Sequence, residues 1–315
     1  MSNGVKKIWV SGSIARDLIM DFPGRFVDYI DPTKIHALNL SFGLENLKLN
    51  VGGTAGNIVY SLALLGERLQ LVGAVGSDGK AILRNYGKMG IGTGYVRISK
   101  SLLTSSAYIM TDRDDNQITG FYKGAMVEKT LLPPARSSDL AIIASGSGEN
   151  MAALAKHYRF HRVPYVFDPG QAITALTAKQ MQFIADSAHL IIGNDYEIEF
   201  VRKKTRGLKN KVVVKTFGAK GSQIELANRK KIRIGIAKPR RVVDPTGAGD
   251  AYRAGFLKGL ISGYNLKTCG QLGATTASFA VEEYGTQNHK FSWNTVRARY
   301  KKNFKHNLSL RGFVS

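Results

Sequence analysis

The run Val242-Val243-Asp244-Pro245-Thr246-Gly247-Ala248-Gly249-Asp250 sets a carboxylate into a glycine-rich turn, at the mouth of a helical pattern that reaches about Ile261. β-Branched residues lead into it and predict a strand ending at Asp244. Pro245 just ahead of the helix loses nothing by lacking an N–H. Gly247 and Gly249 let the backbone approach a ligand, and the free amides of the first turn, around Ala248, make an anion hole suited to a transferring phosphoryl group. Asp250 beside that anion is awkwardly placed unless it takes a proton, which is the task of a base acting on a hydroxyl. A first-turn aspartate can also do no more than offset the helix dipole; Gly-x-Gly-Asp on a strand-to-helix turn favours the catalytic reading.

Gly52-Gly53-Thr54-Ala55-Gly56-Asn57 opens a second helical pattern. Paired glycines admit a small molecule close to the chain, and Asn57 offers a donor and an acceptor for hydroxyl groups. Asp17, a few residues beyond the first apolar run, has the chemistry to chelate a vicinal diol or to stand as a solvated loop acid. Other chemistries lack their residues. The Walker loop is absent, since Gly79-Lys80-Ala81 has neither the hydroxyl nor the leading glycine. No Gly-x-Gly-x-x-Gly fingerprint occurs, nor any Gly-x-Ser-x-Gly elbow. His157 and His161 lie one helical turn apart without the metalloprotease glutamate. Cys269, inside the helical pattern 266–281, reads as a buried small hydrophobe.

The elements that must position these groups alternate. Short apolar runs at 8–10, 69–75, 140–144, 164–167, 190–192 and 212–215 are separated by helical patterns at 55–65, 150–160, 177–186 and from Asp195. That rhythm predicts a largely parallel sheet covered by helices on both faces, with ligands at the carboxyl ends of its strands. Two stretches, about 14–50 and 95–125, lack helical periodicity and carry short alternating runs, which predicts a small separate β-lid.

The 315 residues are 43% hydrophobic and 22% charged, enough apolar content for a folded core and against disorder. One cysteine excludes a disulfide scaffold and zinc sites built on paired thiolates. No stretch approaches the roughly 18 apolar residues of a membrane span, and the expectation is a cytoplasmic protein. The 45 Lys+Arg against 23 Asp+Glu leave a formal charge of +22, concentrated at 202–206, 229–241 and 297–305. Such surfaces attract polyanions. These clusters lack interleaved stacking aromatics and any recognised nucleic-acid module, which argues against a dedicated nucleic-acid partner and for solvated basic faces.

Taken together, the two glycine-rich motifs resemble the paired signatures of the ribokinase-like (PfkB) sugar and nucleoside kinases. Asn194-Asp195-Tyr196-Glu197 is similar to the Asn-x-x-Glu motif of that family, and Lys215-Thr216-Phe217-Gly218-Ala219-Lys220-Gly221 to its Thr-x-Gly-x-x-Gly segment. The nearest resemblance is to adenosine and other nucleoside kinases, through Phe121-Tyr122-Lys123-Gly124-Ala125-Met126. There Lys123 replaces the usual proline, whose fixed φ is lost. The resemblance implies a Rossmann-type three-layer α/β sandwich with a mostly parallel sheet and a β-lid, formed by residues 1–315 as one domain. It implies ATP-dependent transfer to the 5′-hydroxyl of a nucleoside such as adenosine, or to a sugar if the chain is of ribokinase or fructokinase type. A nucleic-acid binder on a kinase-like scaffold is the reading from another class. By the same resemblance Asp250 is the base, and the 247–249 backbone is the anion hole. Asp17, Gly52, Gly53 and Asn57 hold ribose hydroxyls while Phe121 stacks on the base. Asn194, Thr216, Gly218 and Gly221 line the ATP site, and Glu197 acts on Mg2+ indirectly. Some members use a monovalent cation such as K+ near the Asp244/Thr246 turn, and some dimerise through the lid.

Overall fold

A computed structural model describes residues 5–37, 39–114 and 116–308. Its main sheet has nine strands. From one edge to the other these are β13 (Lys231–Ile234), β12 (Ser222–Glu225), β11 (Val212–Thr216), β10 (Leu190–Asn194), β9 (Tyr165–Phe167), β8 (Leu140–Ile143), β1 (Ile8–Ser11), β4 (Gln70–Val75) and β5 (Gly92–Ile98). All neighbours from β11 to β5 run parallel, and β12 and β13 close the far edge as antiparallel strands.

Side chains alternate across this sheet with the period of two that a pleated strand imposes. Ile8, Val10, Ile142, Leu190, Ile192 and Val214 face one layer, while Trp9, Ala141, Ile143, Ile191 and Val213 face the other. The first layer holds α1 (Thr54–Leu64), α2 (Lys80–Lys88), α6 (Ala248–Ile261), α7 (Leu266–Ala280) and α8 (Trp293–Phe304); the second holds α3 (Gly148–Phe160), α4 (Ala178–Ser187) and α5 (Asp195–Lys204). Both faces of a parallel sheet must be covered because both are apolar. Cys269 is fully buried in the first layer.

A second sheet of four strands stands apart, in the order β3 (Asn46–Gly52), β2 (Ala15–Asp21), β6 (Ser105–Thr111), β7 (Gln117–Tyr122). The stretches without helical periodicity supply all four strands. The assignment of 95–98 to this sheet is incorrect: those residues finish β5, paired with β4 through Ala74↔Arg97 and Val75↔Ile98. The strand expected to end at Asp244 is also absent. Val242 and Val243 are 72% and 46% exposed with no sheet neighbour, and the amides of Val243 and Asp244 share one carbonyl, Val281 O. β-Branched composition favours extended backbone in a coil as readily as in a strand.

Candidate active site

The order of the main sheet reverses between β1 and β8, the place where open α/β sheets form a ligand crevice at their carboxyl ends. Asp17 lies just beyond β1, Asp168 just beyond β9, and Asn194 ends β10 beside Thr216, its register partner on β11. The amino ends of α1 and α6 open on the same crevice, where Asn57 Nδ2 donates to Asp250 Oδ2 at 2.7 Å across 193 residues of sequence.

The α6 turn is built by backbone geometry. Gly247 caps the helix at φ +78°, a left-handed conformation that a side chain resists, and a Cβ there would press on Thr286 at 3.1 Å. Asp244 holds the turn from below: Oδ1 accepts from Thr246 N–H at 2.8 Å and Oδ2 from Gly285 N–H at 2.9 Å. Ala248 does not contribute as expected, because its N–H closes the turn onto Pro245 O at 3.1 Å. The amides of Gly247, Gly249 and Asp250 have no protein acceptor among the described residues, which leaves them free to meet an anion.

At the other wall, Gly53 enters α1 at φ +85°, where a Cβ would meet Ser13 O and Ala15 N at 2.7 Å. Gly52, beside it, leaves the space that the Asp17 carboxylate fills; a Cβ would lie 2.2 Å from Oδ2. Burial, and then the neighbouring Asp250, push Asp17 up to about 6. Burial also raises the Asp250 pKa and Glu197 adds to it, while Arg253 and the Asn57 hydrogen bond pull it back. The register across the second sheet pairs Asn50 with Asp17, Asp17 with Ala107, and Ala107 with Phe121. Laterally paired residues share a face, so Asn50, Asp17 and Phe121 stand in one row. Phe121 is 49% exposed. Lys123 keeps proline's geometry, with φ −65°, and its carbonyl accepts from Ser105 Oγ at 2.6 Å.

Asn194 and Glu197 form a reciprocal capping box on α5, each side chain accepting from the other's amide at 2.8 Å. Thr216 Oγ1 reaches Gly193 O at 3.4 Å, and Gly218 to Lys220 make a tight turn before Gly221 leads into β12. Several site residues carried no signal of their own. Arg253, one turn beyond Asp250, is buried against Asp168, with Nε 2.5 Å from Oδ2 and Nη2 2.6 Å from Oδ1, and its Nη2 also lies 3.4 Å from Glu197 Oε2. Burial raises the Asp168 pKa against the pull of Arg253. Gln287 Nε2 donates to Asn57 Oδ1 at 3.0 Å, and Tyr86 OH to Gln287 Oε1 at 3.3 Å, which braces Asn57 from behind. The only hints were Asp168-Pro169-Gly170 after a strand run, and the arginine inside the α6 pattern.

Three carboxylates, Asp168, Glu197 and Asp250, thus neighbour one guanidinium. Among the described residues no three His, Cys, Asp or Glu side chains are grouped to cage a metal unaided. Magnesium bound through nucleotide phosphates and water needs only one or two carboxylates; Glu197 at the start of α5 can serve in that way, whereas Asp168 is fully buried with both oxygens against Arg253. What the crevice can do chemically is bring an anion to free amides and a hydroxyl to a carboxylate.

A model of the pfkB family of carbohydrate kinases matches residues 20–293. A nucleoside kinase of Methanocaldococcus jannaschii is 34% identical over 291 residues, which are 88% of this chain and 94% of that protein. A nucleoside kinase of Methanothermobacter thermautotrophicus is 35% identical over 264 residues, 80% and 84% of the two. Among solved structures, Burkholderia thailandensis nucleoside kinase in complex with inosine superposes with a TM-score of 0.84 at 31% identity, covering 95% of this chain and 99% of the other.

Proposed function

The chain belongs to the pfkB family of carbohydrate kinases, phosphotransferases acting on a hydroxyl acceptor, and from that premise we propose that it phosphorylates the 5′-hydroxyl of a purine nucleoside, adenosine first among them, in the cytoplasm. One observation carries the choice of a nucleoside over a free sugar. Phe121 stands on the same face as Asp17 two strands away, a lateral distance of about 10 Å at normal strand spacing. That span suits a ribose held by Asp17 and a base stacked on an aromatic ring; a free sugar has nothing to set against Phe121. Relatives named nucleoside kinases, one of them holding inosine, support the same reading.

In this reading Asp17 and Asn57 orient the ribose, Gly52 leaving room for the Asp17 carboxylate and Gly53 letting the chain turn into α1 close against Ser13 and Ala15. Asp250 accepts the 5′-hydroxyl proton as that oxygen attacks the γ-phosphorus of ATP, the bond from the γ-phosphorus to the β,γ-bridging oxygen breaks and ADP leaves, and the amides of Gly247, Gly249 and Asp250 receive the charge on the transferring oxygens. Thr216, Gly218, Gly221 and Asn194 line the nucleotide's approach along the ends of β10 and β11. Magnesium on the ATP phosphates would supply charge neutralisation, and Glu197 would act on it indirectly, through water. The Asp244–Thr246 turn is where K+ would act, and the second sheet is the lid that covers the acceptor. The test is ATP consumption with adenosine, inosine, guanosine, cytidine, ribose and fructose. Turnover confined to nucleosides, adenosine leading, supports the proposal, and turnover confined to free sugars overturns it.

A further inference from the structure

Two of the basic clusters, far apart in the sequence, meet in the fold. The segment after β13 is tied to the last turn of α8 by Lys238 N–H donating to Asn303 Oδ1 at 2.9 Å, and to the end of α7 by Arg240 N–H donating to Glu282 Oε1. Between these elements lies a groove of about 1030 Å³. Lys238, Arg240, Lys290, Lys302 and Lys305 line it, and none of the five has a carboxylate within salt-bridge distance among the described residues. The two acids in the lining are already engaged: Glu282 with Arg299 at 2.8 Å and Glu283 with Arg241 at 3.3 Å. Arg297 and Lys301 line a smaller hollow on the neighbouring side of α8.

We propose that this groove binds the phosphate backbone of single-stranded RNA, as a second binding activity separate from phosphoryl transfer. Five uncompensated cations in one concave surface exceed what offsetting local acids requires, since those acids have other partners. Arg297 and Lys301, on the neighbouring side of α8, extend the positive surface beyond the groove, which suits an extended polyanion better than one compact nucleotide. Concavity favours a strand over a flat anionic membrane, and the volume suits a few nucleotides of one strand. Phe279 on the groove wall is only 8% exposed and sits under Arg299, 3.4 Å from its guanidinium carbon, and the half-buried Phe291 beside it has one face stacked on His289 at 5.4 Å, so neither offers an open ring platform for a base. Recognition would run through charge and be indifferent to sequence.

The experiment is fluorescence anisotropy of a labelled mixed-sequence 20-nucleotide RNA with the full chain, without ATP or nucleoside. Five phosphate contacts predict a log–log salt slope near −3.5 and about a 100-fold loss of affinity from 50 to 200 mM salt. The variant Lys290→Glu/Lys302→Glu should lower affinity by more than about 10-fold and flatten the slope by one to two units. Lys156→Glu/Lys179→Glu, on α3 and α4 in the opposite layer, makes the same change in net charge and should leave affinity within about 3-fold. Kinase turnover at saturating substrates, unchanged in both variants, confirms that each is folded. Equal losses in the two variants would reduce the effect to net charge and overturn the site. Absence of RNA binding at 50 mM salt, or binding to anionic vesicles in preference to RNA, would overturn it as well.

Discussion

Arg253 offers the sharpest test of the proposal that Asp250 is the base, because it opposes the burial that raises the Asp250 pKa. Burial raises the Asp250 pKa and Glu197 raises it further, while Arg253 acts against both. Asp250 and Arg253 are three residues apart on α6, where side chains start about 5–6 Å apart. Opposite charges at roughly 6 Å and an effective dielectric constant near 20 interact by about 2.8 kcal/mol, or about two pKa units. Residual solvent access and Asn57 cut this, so Arg253→Met should move the acidic limb of kcat/KM up by about one to two units. Arg253→Lys keeps the charge, loses the two-point contact with Asp168, and should leave the limb near its original pH. Removing one partner of a buried ion pair costs about 3–5 kcal/mol, so the methionine variant should also melt earlier. Arg253→Met/Asp168→Asn, with both charges gone, should recover most of that loss. The assay is the pH profile of kcat/KM for the nucleoside at saturating ATP, from pH 5 to 9, alongside thermal melts. A folded Met variant whose limb does not move would refute the reasoning, as would a Lys variant that shifts as far as Met.

Asp250→Asn preserves size and hydrogen bonding but cannot take a proton, so kcat should fall about 10²–10⁴-fold with little change in nucleoside affinity; near-normal kcat in folded protein would return Asp250 to the role of a helix-dipole partner. Phe121→Ala should raise KM for a nucleoside by the factor of about 5–150 that a stacked base is worth at 1–3 kcal/mol, and equal loss with ribose would mean that Phe121 only packs the lid. Asp17, pushed up to about 6 by burial and then by Asp250, binds more protons folded than unfolded between pH 3.8 and 6. Its contribution to stability therefore falls as pH rises through that window, and Asp17→Asn should stabilise the free protein above pH 6 by about 1–3 kcal/mol while weakening nucleoside binding; an unchanged or lower Tm at pH 8 would contradict the burial argument. Replacing K+ by tetramethylammonium at constant ionic strength should lower kcat, and equal rates in both salts would remove the cation from the Asp244–Thr246 turn.

What the sequence disclosed of this crevice follows from how local each signal is. Gly247, Asp250, Gly53 and Asn57 are legible because a backbone that must turn tightly beside a ligand writes glycines next to the functional side chain. The sheet was legible for a related reason: alternation such as Ile8-Trp9-Val10 sorts side chains to two layers whichever strands become neighbours. Arg253 with Asp168, Gln287 with Asn57, and Asn50 with Asp17 are different, because each pair exists only once strand order and register bring distant segments together. Composition could not tell Val242–Asp244 from a strand, since an extended coil and a strand ask the same of their residues and differ only in whether a neighbour is present. Lys123 carries the argument furthest. The family's proline matters there for its φ, and the chain reaches the same φ of −65° by another route, with Ser105 bonding the Lys123 carbonyl and Gly124 taking φ +47° after it. A motif position lost in sequence can thus be kept in geometry when neighbouring residues hold the backbone, and only the folded chain reveals which of the two has happened.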